Sequence, residues 1–546
     1  MQSLQIEPEN DLGSTEYKLK LIDDSDEKIE HLSTQMRFRM SQDDNSKCIY
    51  KFGVSDNGKI LGIDKDDFEK TIEIFDKCLK INDFNKTQIN KITLPPTKKE
   101  KQEKFFLEYL VRPNFNNDIV DINVCILGNV DSGKSTFLSV LLSNIPDDGR
   151  GKSRQQIFRH VHECSTGRTS AQSTRILGIR SDGKITNHEN SRYTWTEIVK
   201  KSYKLISFHD LPGHEKYFKT TIKSMLSSPD YSIILVNSLK GVKKMTFNHA
   251  SLCVELGIPF MFLLTKTDLA EPEMIKKSIK SIKSLLKLPN INKFCHLVKD
   301  ESDISVICEN FYTSNLIPIF KISNKTLSGY DIIYKFFNLL DSNQSNHCDL
   351  ITNTKICYRV ESIFRIKGVG HVIGGVLKSG SIKINDTFWL GPFDQKYVSV
   401  SVKSIHVKKT SVKDVKITSS PIYVCLSLKI QSDVNYRKGL VLLNKDENLI
   451  SCLRFEATLS LSGSHSTNVK VGYKPIMCLE SIRQAVKICE LYDLDTNESI
   501  SVLRQNQKAK AIFEFEIRRE YLHIGDNFVC SEGLIKLIGQ ITNIIQ

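Results

Sequence analysis

Residues 128–135, Gly-Asn-Val-Asp-Ser-Gly-Lys-Ser, spell GxxxxGK[ST] directly after an apolar run at 122–127, and few folds accommodate that junction. Glycines at this spacing let successive backbone N–H groups curl around a diphosphate at a helix start, whose positive end favours anions. A helix is expected next, with Phe137, Leu138, Leu141 and Leu142 on one face. The order strand, loop, helix therefore predicts a phosphate cradle built from Gly128, Asn129, Val130, Asp131, Ser132 and Gly133 and completed by Thr136. Lys134 would reach the β- and γ-phosphates, and Ser135 would ligate Mg²⁺. Further apolar runs at 205–208, 233–236 and 260–264 alternate with helical segments, which predicts a P-loop α/β domain with a mostly parallel sheet.

The phosphate loop alone does not choose a base, but three later elements do, each following an apolar run. Asp210-Leu211-Pro212-Gly213-His214 contains a DxxG element, in which Asp210 can hold Mg²⁺ through water and the Gly213 amide can sense the γ-phosphate. Thr265-Lys266-Thr267-Asp268 is a variant of NKxD. A carboxylate at 268 accepts from the ring N–H and the exocyclic amine of guanine, and adenine offers neither donor there, so GTP and GDP are the expected ligands. Ser323 and Asn324, after the run 317–320, can place backbone amides on the guanine O6.

Outside this region the patterning changes twice. Residues 1–117 read as a small α+β N-terminal unit: Ile29, Leu32, Met36 and Met40 recur at helical spacing, as do Phe68, Ile72, Phe75 and Leu79. Asn57-Gly58 predicts a type I′ turn, and a last strand is expected at 105–111 after a linker at 95–101. The nucleotide domain is expected over 118–345, ahead of a polar stretch at 341–353. Beyond it Val398, Val400 and Val402 share one face while Ile405 and Val407 take the other phase, which predicts a bulge near Lys403 and Ser404. Ala511, Phe513, Phe515 and Ile517 alternate again. Two antiparallel β-barrels, over 354–447 and 448–546, account for both stretches.

Formal charge is +13 but unevenly placed, with +13 in residues 151–300 and +9 in residues 351–450, so the flanks are net acidic. Such a field favours a polyanion such as RNA, against the plain reading of lysines on a solvated surface. Lys276, Lys277, Lys280, Lys283 and Lys287 lie opposite Ile275, Ile279, Ile282 and Leu286 and read as the solvated face of a helix. Lys403, Lys408 and Lys409 are candidates for RNA contact. No stretch reaches the roughly 18 apolar residues of a membrane helix, and the 14 cysteines include no CxxC pair. A cytoplasmic chain with reduced thiols, and with neither membrane nor DNA as partner, is expected.

On these motifs the chain resembles the translation-factor GTPases, the class of elongation factor Tu and eukaryotic elongation factor 1 alpha. Within that class it is most similar to the branch of GTP-binding protein 1 and GTP-binding protein 2. The resemblance extends to residues 16–21 and 32–38, Phe158-Arg159-His160, His162-Glu163, Gly167-Arg168-Thr169-Ser170, Gly213-His214-Glu215-Lys216-Tyr217 and Gly368-Val369-Gly370. It implies a GTP-hydrolysing switch in which His214 orients the attacking water and Thr169, with Ser170 as the alternative, joins Ser135 and Asp210 around Mg²⁺. It further implies that Val130 forms one side of an apolar gate over His214, and that Asp131 adjoins a site for a monovalent cation, against the plain reading of a carboxylate that caps the helix start. The implied partners are the ribosome or tRNA, in elongation or rescue of stalled ribosomes, with the chain a monomer. A GTP-regulated adaptor for RNA-turnover proteins and a GTPase subunit of a metabolic enzyme complex are alternatives on the same fold. Two departures matter: Thr265 replaces the Asn of NKxD, leaving a hydroxyl to bond the P-loop backbone, and Asn324 and Lys325 replace the usual small residues after Ser323. A metal pair at His160 and His162, or an arginine-finger role for Arg168, stands against packed or ion-paired roles for these side chains.

Overall fold

The computed structural model describes residues 6–545 apart from 11–12, 44–46, 83, 95–102, 114–119, 151, 154–172, 191, 228, 290, 312–314, 342–354, 368, 418–420, 431–433, 448, 463–467, 495, 505–506 and 533–534. At its centre lies a seven-stranded sheet in the order Phe294–Leu297, Leu316–Lys321, Phe260–Thr265, Tyr231–Asn237, Val120–Gly128, Lys204–Asp210, Ser173–Ile179. Every pairing is parallel except that of Ser173–Ile179 with Lys204–Asp210. The strands are apolar on both sides because helices cover both faces. Along Val120–Gly128, Ile122, Val124 and Ile126 enter one core while Cys125 and Leu127 enter the other. The chain leaves Val120–Gly128 to form Lys204–Asp210 on one side and Tyr231–Asn237 on the other, which opens a crevice at its carboxyl end.

The N-terminal unit carries five strands, Thr15–Lys18, Cys48–Phe52, Ile63–Asp64, Phe84–Leu94 and Lys104–Pro113. The helices Asp26–Ser41 and Lys65–Ile81 pack on them through Met36 and Phe75, both fully buried. The strand Phe84–Leu94 has no counterpart in the sequence reading, since its side chains are mostly polar. Lys86 lies over the Phe75 and Tyr109 rings and Lys91 over Phe68 and Phe105, so lysine stems do the covering that apolar residues usually do. The turn at Asn57-Gly58 is also not type I′. Only Gly58 has positive φ (81°), and the Asn57 side chain accepts from Ser55 Oγ (2.7 Å) and Lys59 N–H (3.2 Å), stabilising a longer loop.

This unit docks at the end of the central sheet remote from the crevice. Arg112, buried, donates to Asn338 Oδ1 (2.5 Å) and to Asn338 O, while buried Lys204 donates to Asn338 O (2.7 Å) and Leu340 O (2.6 Å). Two cations thus satisfy the carboxyl end of the helix Tyr330–Leu339, where orphan carbonyls and the helix dipole favour positive charge. Burial, reinforced by Arg112, pushes the Lys204 pKa well down.

Of the remaining sheets, two small ones have two strands each, and the two large ones close into antiparallel barrels of six strands. The first runs Thr387–Phe393, Val441–Leu443, Cys357–Ile366, Gly370–Ser379, Ile422–Ile430, Lys396–Val407 and back; its register shifts between Val402 and Ser404, where the bulge was expected. The second runs Arg454–Ser462, Lys508–Phe515, Ile482–Asp493, Ile476–Leu479, Asn527–Glu532, Ile535–Ile545 and back. Ile517 lies past the end of Lys508–Phe515 and is 67% exposed, so the alternation outruns the strand. The barrels are joined by buried charges: Arg359 pairs with Glu480 (2.8 Å) and Asp526 (3.3 Å), and Lys378 with Glu480.

A hairpin tip fastens the first barrel to the central sheet. Lys408 Nζ donates to Asp121 Oδ1 (2.6 Å) and Ser207 Oγ (2.9 Å), Lys409 lies over the Trp195 ring, and Asn123 donates to Pro421 O (3.0 Å). Lys408 and Lys409 both have positive φ (47° and 65°), at a cost of about 1 kcal/mol or more each, in a turn that glycine or asparagine would fill without strain. Lys408 is therefore spent on an internal ion pair and not displayed to RNA; Lys403 is exposed.

Candidate functional site

The strand Val120–Gly128 runs straight into the helix Lys134–Ser143, and the loop between them bends through Gly128 (φ 144°), Asp131 (φ 64°) and Gly133 (φ 87°). A side chain at 128 would meet Leu235 O and Ser132 Oγ at 2.7 Å, so only glycine lets the loop close on the neighbouring strand. Lys134 Nζ, 7% exposed, donates to Gly128 O and Asn129 O (3.0 Å each), folding its ammonium back along the loop. Burial lowers its pKa to about 8, opposed by the Asp210 and Asp131 carboxylates. Val130 is half-buried at the rim, its N–H held by Asn129 Oδ1 (2.8 Å), and Thr136 is half-buried in the first helical turn.

Lys204–Asp210 brings Asp210 alongside this loop, and Ser135 Oγ donates to its Oδ2 at 2.8 Å. A hydroxyl and a carboxylate so placed are two hard oxygen donors. Gly213 lies against the loop as well: a Cβ there would come within 2.6 Å of Gly128 O, so no side chain fits between this segment and the phosphate loop. His214 is exposed and caps the short helix Glu215–Tyr217, its Nδ1 accepting the Lys216 N–H (3.1 Å). A neutral ring in that bond carries its proton on Nε2 and presents a donor outward. Thr169 falls within 154–172, outside the described residues, as do His160, His162 and Arg168.

The far end of the crevice is built by the next two strands. Thr265, fully buried, donates to Ser132 O at 2.8 Å and ties its strand to the phosphate loop. Lys266 takes positive φ (59°), turning the chain so that Asp268 comes level with Ser323. Ser323 Oγ donates to Asp268 Oδ1 at 2.7 Å and leaves the rest of an exposed carboxylate to accept from a ligand. The sequence predicts a backbone role for Ser323, but its N–H donates to Ser328 O (3.1 Å), and it is the hydroxyl that serves the site by orienting the carboxylate. Asn324 accepts from Tyr330 OH at 2.8 Å through Oδ1, and its Nδ2 lies 3.6 Å from where a Cβ on Gly133 would stand. The crevice therefore joins 128–136, 210–214, 265–268 and 323–324.

Asn237 escaped the sequence reading. It is 5% exposed at the end of Tyr231–Asn237, donating to Asp131 O (3.4 Å) and accepting from Leu239 N–H (2.9 Å). A polar residue closing an otherwise apolar run was the available signal. The Asp131 carboxylate points out to the Lys240 ammonium (3.5 Å), with which a monovalent cation would have to compete.

A sheet with this switch point, a P-loop, a carboxylate beside the P-loop serine, and two closed barrels downstream define a GTPase of the translation-factor class. The family described as elongation factor Tu GTP binding domain matches residues 120–364. GTP-binding protein 1 of Xenopus laevis is 33% identical over 535 residues, 97% of this chain and 78% of the relative. GTP-binding protein 2 of Mus musculus is 32% identical over 550 residues, 99% and 88% respectively. Among solved structures, translation elongation factor SelB from Methanococcus maripaludis with the GTP analogue GppNHp shares the fold (TM-score 0.54, 21% identity, 79% of this chain and 80% of that chain). The chain belongs to the family of GTP-binding protein 1 and GTP-binding protein 2.

Proposed function

We infer that this GTPase is a switch that engages the ribosome or tRNA in its GTP form, in elongation or ribosome rescue. The observation that carries the reading is one strand with two attachments: Val120–Gly128 ends in the phosphate loop, and near its other end Asp121 and Asn123 bond the first barrel. A change at the phosphates therefore acts on the element that holds the barrels.

In this reading the P-loop amides and Lys134 stabilise the leaving diphosphate, Gly213 closes on the γ-phosphate, and Asp268, with Thr265, Lys266, Ser323 and Asn324 around it, selects guanine. Ser135 and Asp210 would hold Mg²⁺, with Thr169 as a further ligand. Mg²⁺ bound there would neutralise charge developing on the phosphates. His214 orients the attacking water by donating from Nε2 to its oxygen, and Val130 gates that approach. Hydrolysis without a partner is correspondingly slow.

Filter binding of labelled aminoacyl-tRNA to GTP-loaded and GDP-loaded chain tests the reading. Binding at least tenfold tighter with GTP supports it. Equal or undetectable binding in both states, together with nucleotide-independent sedimentation beside ribosomes, would refute it and favour an adaptor role in RNA turnover.

A further inference from the structure

Three of the four amides at 323–326, where the loop faces the purine, are spent inside the loop. Ser323 N–H donates to Ser328 O (3.1 Å), and the N–H groups of Lys325 and Thr326 both donate to Ser323 Oγ (3.2 and 3.1 Å). Among the described residues the Asn324 N–H donates to no atom of the chain, so of the amides at 323–326 it is the one left for a ligand. Its aim is fixed from outside the loop. Asp147 N–H donates to Asn324 O at 2.8 Å, while Tyr330 holds the Asn324 side chain.

Asp147 is itself the hub of a tight turn. At 8% exposure, its Oδ1 accepts the Ser153 N–H (3.0 Å) and the Ser153 hydroxyl, and its Oδ2 accepts the Gly149 N–H (3.0 Å). Ser139, on the helix that starts at the phosphate loop, donates to Ser153 O at 2.6 Å. Gly149 rests against the Lys325 side chain, 3.8 Å from a Cβ built on it. The helix carrying the phosphate loop and the loop facing the purine are thus bridged through one buried carboxylate.

We propose that Asp147 is a positioning residue for purine recognition, its turn holding the Asn324 N–H on the 6-oxo group of the guanine that Asp268 reads from the other edge. This rests on the guanine reading above. The Asp147 carboxylate touches no ligand; it gathers three donors from Gly149 and Ser153, and so sets where its own N–H meets Asn324. Loss of those bonds lets the Asn324 peptide turn, and the 6-oxo contact weakens while the contacts to the ring N–H and the amine remain.

Calorimetry on the full chain with GDP, IDP and 6-thio-GDP tests this. IDP keeps the 6-oxygen but lacks the amine; 6-thio-GDP keeps the amine and replaces the oxygen by a poor acceptor. Asp147→Ala should weaken GDP and IDP alike, by about tenfold, the size of one well-placed hydrogen bond. It should weaken 6-thio-GDP by about twofold, so the preference for oxygen over sulfur shrinks about fivefold. Asp147→Asn, which keeps the turn's shape, should move the same ratio in the same direction by less, and covers the case in which the alanine variant does not fold. Equal losses on GDP and 6-thio-GDP, or none, overturn the positioning role while leaving the guanine reading intact. No binding of GDP by the unmodified chain overturns both.

Discussion

Lys134→Met should abolish phosphate affinity and yet relieve a penalty that the ligand-free chain carries at neutral pH. Burial takes the ammonium from 10.5 to about 8, a fall worth about 3 kcal/mol at about 1.4 kcal/mol per pH unit. Below about pH 8 the lysine is charged in the folded and the unfolded chain, and the full penalty is present. Between about 8 and 10.5 the unfolded chain still binds the proton and the folded one has shed it, so stability rises with pH. Above 10.5 the penalty is gone. At every pH the variant also forfeits the two bonds to Gly128 O and Asn129 O, at about 1 kcal/mol each. The balance is a variant about 1 kcal/mol more stable than its parent at pH 7 and about 2 kcal/mol less stable near pH 10.5. Urea unfolding followed by Trp195 fluorescence in a Trp389→Phe background measures the difference, and pairing the two proteins cancels other titrating groups. A difference that stays constant to within about 1 kcal/mol across that range would refute the buried-ammonium account. GDP should raise the parent's transition midpoint and leave the variant's where it was.

Asp268→Asn exchanges a double acceptor for a group that also donates, so GTP affinity should drop about 100-fold or more and xanthosine triphosphate should gain; unchanged competition by GTP against a fluorescent guanine nucleotide would exclude the contact. Thr265→Val removes the bond to Ser132 O inside a fully buried position, and GDP dissociation should quicken about fivefold in stopped flow. Lys408→Ala takes the countercharge from the buried Asp121 carboxylate at the joint between sheet and barrel, leaving it the Ser207 hydroxyl, and should cost about 3 kcal/mol in denaturant titration, with the double variant Asp121→Ala, Lys408→Ala recovering part of the loss.

Much of the architecture was legible because two periodicities speak plainly. Continuous apolar runs ending at Gly128, Asp210, Thr265 and Lys321 mark strands buried on both faces, and the phase change at Lys403 marks a bulged barrel strand. What stayed hidden depends on side chains acting against type. Phe84–Leu94 is a strand whose lysines cover aromatic rings, and its composition gives no apolar signal. Lys408 carries a charge that pattern reasoning assigns to the surface, but its partner Asp121 is 287 residues away in the chain. The Ser323 hydroxyl on Asp268 and the Asp147 turn on Asn324 are contacts of three-dimensional register, formed between segments whose local sequences say only that they bend.

Asp121 and Gly128 stand seven residues apart on one strand, about 23 Å of extended backbone. Hydrogen-bonded neighbours flank that strand on both sides, so it works as a strut of fixed length and not as a spring. An insertion or deletion of a single residue between the two positions would change the length and also rotate the anchoring carboxylate to the opposite face. The number of peptide units in this stretch is accordingly under tighter constraint than the identity of any side chain along it.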